Sequence, residues 1–107
     1  MIFTKAIIRQ LISNGENPGK DHKPVVKVFN PYGGGTWLFS EMDQDGRLFG
    51  LCDHGVGCPE VGYADRSEVE GCKVFGTLPL ERDRQFKAEM TLSGYAAEAR
   101  RLGRVEA

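Results

Sequence analysis

Two apolar, aromatic-rich stretches, residues 36–42 and 47–53, are separated only by Asp43-Gln44-Asp45-Gly46, and few arrangements other than a β-hairpin accommodate that pattern. Trp37, Phe39 and Phe49 are of the type that suits a pleated, half-buried surface, and they are read as core. Aspartate and glycine supply the backbone conformations that a tight reversal needs. The two stretches are therefore read as antiparallel neighbours.

The rest of the chain is placed around that hairpin. Thr4 suits a helix N-cap, with Phe3 before it able to staple onto Ile8. Ile7, Ile8, Leu11 and Ile12 then form one apolar stripe, and Asn14-Gly15 offers a left-handed stop. Residues 16–23 read as a loop and the β-branched residues 24–29 as a strand, broken at 30–35 by Pro31 and three glycines. Residues 54–62 read as irregular. The segment 63–70 reads as either a strand end or one helical turn capped by Ser67. A short strand is expected at 73–75 and a charged edge strand at 79–87. Thr91 or Ser93 caps a closing helix whose face is Leu92, Tyr95, Ala96, Ala99 and Leu102, ended by Gly103. Arg100, Arg101 and Arg104 lie at the end where the helix dipole favours cations. The expectation is an α+β fold over residues 1–107 as a single domain: an N-terminal helix, an antiparallel meander of four to five strands, and a C-terminal helix.

Composition agrees with that size of core. A chain of 107 residues with 40% hydrophobic and 27% charged residues falls within the globular range. It can bury roughly two-thirds of its unfolded surface. No apolar run is long enough to span a membrane, and the start lacks a basic region followed by an apolar stretch, so a cytoplasmic protein without membrane contact is expected. The net charge of −1 argues against both a general nucleic-acid binder and a wholly acidic DNA mimic. Its distribution is uneven: residues 1–30 sum to +3, residues 31–72 to −6 and residues 73–107 to +2. Cys52, Cys58 and Cys72 are odd in number, which favours reduced thiols over a disulfide framework.

Several motifs were candidates for chemistry. Cys52, His54, Cys58 and Cys72 are zinc-ligand types, but they lack the C-x₂-C knuckle, and Cys52 falls within a strand where it acts as a small hydrophobe. His54 could serve Cys58 or Cys72 as a base with Asp53 or Glu60 orienting it, yet nothing around them resembles a nucleophile elbow. Gly33-Gly34-Gly35 runs into a strand rather than a helix, so it reads as a turn and not a phosphate loop. Asp43-Gln44-Asp45-Gly46 is a fragment of a calcium loop without its remaining ligands. No catalytic residue, metal ligand or cofactor is assigned. Asp53, Glu60, Asp65, Glu68 and Glu70 together suit an acidic surface facing a basic partner. Arg82, Arg84, Lys87, Arg100, Arg101 and Arg104 offer a weaker nucleic-acid reading.

Residues 24–31 and 36–39 resemble an uncharacterised bacterial family. The likeness continues through residues 47–53 and 57–63, Leu80-Glu81-Arg82-Asp83, and Tyr95, Ala96, Ala99 and Arg100. The chain is similar, over nearly its whole length, to the domain of unknown function family numbered 2958, small proteins found widely on plasmids and integrative elements. That resemblance implies an accessory gene of a mobile genetic element, and it brings no catalytic residue with it. His54 and Arg84 stand where apolar residues are expected in such proteins, which weakens a Cys/His centre. The resemblance also marks the loop with Asp53, Gly55, Gly57, Pro59, Glu60, Gly62 and Tyr63.

The resulting expectation is a non-enzymatic protein-binding module of a mobile element, with counter-defence as one form. It would present Asp53, Glu60, Tyr63, Asp65, Glu68 and Arg82 to a host or element-encoded protein. The alternatives are a nucleic-acid-associated factor using the basic C-terminal helix, and a small metal- or cysteine-dependent hydrolase built on Cys52, His54, Cys58 and Glu60.

Overall fold

A computed structural model describes residues 2–107. Helix α1 (Lys5–Gly15) is followed by strands β1 (Val26–Phe29), β2 (Thr36–Met42), β3 (Arg47–Asp53) and β4 (Glu60–Asp65). Helix α2 (Arg66–Gly71), the short strands β5 (Lys73–Val74), β6 (Leu78–Pro79) and β7 (Glu81–Arg82), and helix α3 (Leu92–Leu102) complete the order. The main sheet is antiparallel, in the order β4-β3-β2-β1-β7, and β5 pairs with β6 in a separate hairpin. The fold class is α+β, with a helix opening the chain, a five-stranded antiparallel sheet and a helix closing it.

Both faces of the sheet carry a core because side chains alternate along each strand. Val26, Val28, Phe39, Met42, Leu48 and Cys52 share a cluster with Phe3 and Leu11, which brings α1 onto one face. Leu38 and Leu51 point the other way, into Leu92, Tyr95, Ala96 and Ala99 of α3. A bulge between Phe39 and Glu41 shifts the β2–β3 register. Asn14 Nδ2, from the last turn of α1, donates to the Ser40 carbonyl inside that bulge at 2.9 Å.

α1 starts as its residues dictate: Thr4 Oγ1 accepts from the Ile7 amide at 3.2 Å. Its end differs from expectation. Gly15 remains within the helix, and the C-cap is Glu16 in right-handed geometry. Glycine is required there by packing, since a Cβ on Gly15 would lie 2.5 Å from the Met42 carbonyl oxygen.

α3 shows a second departure. Thr91 is the N-cap residue but makes no side-chain capping bond. The cap comes from Asp21 in the loop after α1, whose carboxylate accepts from the Ser93 amide at 3.1 Å and from the Ser93 hydroxyl. Beside it the Leu92 amide donates to the His22 carbonyl at 2.9 Å. The Ser93 hydroxyl, then the Thr91 hydroxyl, hold the Asp21 carboxyl below its usual range. A depressed folded-state pKa means that this contribution is complete above about pH 4 and is lost as pH falls through the lower folded value. Asp21→Ala is thus expected to lower the melting temperature by a few degrees at pH 7. The gap to wild type should close in strong acid, as thermal melts at the two pH values would report.

The expected strand at 79–87 shrinks to Glu81–Arg82, paired with Phe29 and Val28. Asp83 Oδ1 then accepts from the Gln85 amide, turning the chain away from the sheet. The region 54–70, read as irregular or ambiguous, contains β4 and α2, with Asp65 rather than Ser67 at the helix N-cap position. β3 explains β4: Leu48, Gly50 and Cys52 have main-chain groups on the side away from β2 that need a partner.

Candidate functional site

β4 is the outer strand of the sheet, in an unbroken register from Arg47↔Asp65 to Cys52↔Glu60. The Arg66 amide donates to the Gly46 carbonyl at 2.8 Å, which sets the parity of the ladder. Alternation then directs the main-chain groups of Glu60, Gly62 and Ala64 toward β3, and those of Val61, Tyr63 and Asp65 outward. Among the described residues, no backbone hydrogen bond reaches the outward groups of Val61 or Tyr63.

The turn into β4 is built by Asp53 and Gly55. The Gly55 amide donates to Asp53 Oδ1 at 2.8 Å, and Gly55 takes φ +79°, a left-handed conformation that side chains disfavour. A Cβ there would also lie 2.9 Å from Gly34. Buried Pro59 ends the loop immediately before the strand.

Val61 and Tyr63 stand opposite Leu51 and Phe49, on the face that carries α3. The Tyr63 ring lies 5.2 Å from that of Phe49, and the Arg47 guanidinium sits 4.5 Å from the Tyr63 centroid. Tyr63 nevertheless remains 62% exposed. α3 covers Leu38 and Leu51 but leaves this corner open. The result is a concavity of about 450 Å³, floored by Phe49, Val61 and Tyr63 and walled by Glu41, Leu92 and the 18–21 loop.

Carboxylates flank this apolar floor. Glu60 opens β4, Asp65 closes it, and Glu68 follows on α2, all exposed. Asp65 shares a hydrogen bond with Glu68 and repels its charge, holding the Glu68 carboxyl above its usual range. Glu70 is paired with Arg66 at 3.1 Å.

Four of the six expected surface residues, Glu60, Tyr63, Asp65 and Glu68, therefore gather along one edge. Asp53 does not join them: it is 5% exposed, and its second carboxylate oxygen accepts from the Val105 amide at 3.0 Å. Arg82 lies in β7, at the opposite edge of the sheet, where its guanidinium donates to the Ile2 carbonyl. The sequence reading missed Val61, Phe49 and Glu41 as parts of this corner. The alternation of Val61 and Tyr63 about Gly62 was the available signal.

The other candidate centres are scattered or already engaged. Cys52 is buried in the α1-side core, which pushes its thiol up, whereas Cys58 and Cys72 are exposed. His54 lies edge-on to Trp37. No group of three or more His, Cys, Asp or Glu among the described residues is arranged to hold a metal ion. Asp43 Oδ1 accepts from the Asp45 and Arg47 amides, so its carboxylate serves the hairpin turn. A second concavity, of about 430 Å³, lies beside Gly33-Gly34-Gly35. Its cations have partners: Lys27 meets the Ala107 carbonyl and Asp83, and Arg104 meets Glu106.

The family described as "protein of unknown function (DUF2958)" matches residues 2–106. The chain belongs to the DUF2958 family. No curated protein and no solved structure matches it. In this DUF2958 chain the matched region spans every element of the fold, including β4 and the residues around it. No helix among the described residues is long and apolar enough to cross a membrane.

Proposed function

We propose that this DUF2958 protein is a non-enzymatic protein-binding module, a single cytoplasmic domain acting as an accessory of a mobile genetic element. The observation that carries the reading is the β4 edge, where exposed Val61 and Tyr63 lie between Glu60 at one end and Asp65 and Glu68 at the other. An aromatic anchor within a charged rim is the usual anatomy of a protein interface. The acidic rim complements a basic partner surface, such as the nucleic-acid groove of a host defence nuclease. The arginines in the last turn of α3 and just after it support a nucleic-acid role less well. Arg101 is paired with Glu98, Arg104 with Glu106, and Tyr95 is buried rather than available for base stacking.

Affinity capture from the host lysate, after nuclease treatment, tests this reading with wild type and with the Glu60→Lys, Asp65→Lys double variant. A stoichiometric protein partner should survive nuclease and bind the variant about tenfold more weakly or worse. Equal capture by the variant would overturn the reading. Loss of every partner on nuclease treatment would transfer the role to nucleic acid.

A further inference from the structure

The two edges of the main sheet are unlike. β7 is two residues long, and its Arg82 is tied to Ile2, whereas β4 runs for six residues. Natural edges are usually blunted by an internal lysine or proline, a bulge or a cover. β4 has neither lysine nor proline, and its pairing with β3 has no bulge. Its outward main-chain groups at Val61 and Tyr63 also have side chains on the face of the open concavity. An added strand would therefore gain main-chain bonds and side-chain burial together.

We infer that β4 takes one extended segment of a partner protein as a sixth, antiparallel strand, a recognition mode that specifies the protein-binding reading on which it rests. The charges on the edge choose the segment. In antiparallel pairing its residues opposite Val61 and Tyr63 face the Phe49 floor and are apolar, while those opposite Glu60 and Asp65 are lysine or arginine. The segment thus reads, from its N-terminal end, basic, any, apolar, any, apolar, basic. A second copy of this chain fits poorly. In the two-fold registers centred on the strand and joining the outward groups, Asp65 faces Pro59 or Val61 of the other copy and so gains no basic partner.

Amide exchange followed by NMR tests this residue by residue. In the free protein, Gly62 and Ala64 amides, bonded to β3, should exchange slowly, and Val61 and Tyr63 amides fast. A synthetic peptide with lysine at both ends of a Thr-Val-Thr-Val core should slow Val61 and Tyr63 by about tenfold or more at saturation. The same core with glutamate at both ends should not. Tyr63→Pro removes an outward donor without touching the β3 ladder, so it should weaken the lysine-ended peptide by about tenfold more than Tyr63→Ala, which loses the ring alone. If that variant fails to fold, the exchange pattern of the wild type decides alone.

Peptide binding without protection at Val61 and Tyr63 would overturn strand addition while leaving the binding-module reading in place. Absence of binding up to millimolar peptide would likewise overturn it, and the lysate capture would then judge the broader reading separately. Protection of the same amides that rises with protein concentration, without peptide, would make a second copy the occupant and overturn the choice of partner.

Discussion

Gly50→Ala is expected to destabilise the protein by roughly 3 kcal/mol or more, moving a urea midpoint down by about 2 M. A Cβ on Gly50 would lie 2.0 Å from the Leu38 carbonyl oxygen and 2.8 Å from the Phe39 Cα. Both are main-chain atoms of β2, so no side-chain rotation relieves the clash. β2 cannot slide aside either. Leu38 and Phe39 are each fully buried, on opposite faces of the sheet, and the bulge follows immediately. The strands must separate at the centre of the fold, in a protein whose total stability is expected to be about 5–15 kcal/mol. Gly62→Ala is the internal control. Gly62 pairs with Gly50 across β3–β4, yet a Cβ there meets nothing within 4 Å. That substitution should change stability by no more than about 0.5 kcal/mol. Similar midpoints for the two variants would contradict the β2–β3 packing described above.

What the amino-acid order reveals divides along the distance between partners. Residues 36–42 and 47–53 carry their own turn and their own apolar side chains, and they coincide with β2 and β3. α1 and α3 are legible for the same reason, since a stripe and its flanking residues are local features. β4 is different. Glu60–Asp65 offers only Val61 and Tyr63 as large apolar side chains, and it is a strand because β3 has a second side to satisfy. β7 is legible only in part: an edge strand is expected at 79–87, but its paired length, Glu81–Arg82, is set by β1. The same division runs through the site. Glu60, Tyr63, Asp65 and Glu68 come together along one edge because they are close in sequence. Arg82 answers to Ile2, eighty positions away, and no local pattern places it. The cap of α3 likewise comes from Asp21, seventy-two positions from Ser93.

Asp53 presents that division as an experiment. As one of five acids within residues 53–70 it reads as surface charge; in the fold it is a clamp. One oxygen holds the Gly55 amide and the other the Val105 amide, fifty-two residues on, so a single carboxylate shapes the glycine loop and fastens the chain after α3. Hydrogen bonds to charged acceptors contribute about 1.5–3 kcal/mol each, and the tail can relax once released. Asp53→Ala should therefore cost about 3 kcal/mol, with faster trypsin cleavage at Arg104. Asp53→Asn should fall between. Its amide keeps one acceptor for Gly55 but turns a donor toward the Val105 N–H. Neither variant should change binding at β4 while the protein remains folded, because Asp53 pairs with Thr36 on β2 and lies outside the β3–β4 register. Wild-type stability in Asp53→Ala would show that the clamp carries little load. Lost binding at undiminished stability would return Asp53 to the proposed interacting surface and move the proposed docking site from the edge of β4 to the loop before it.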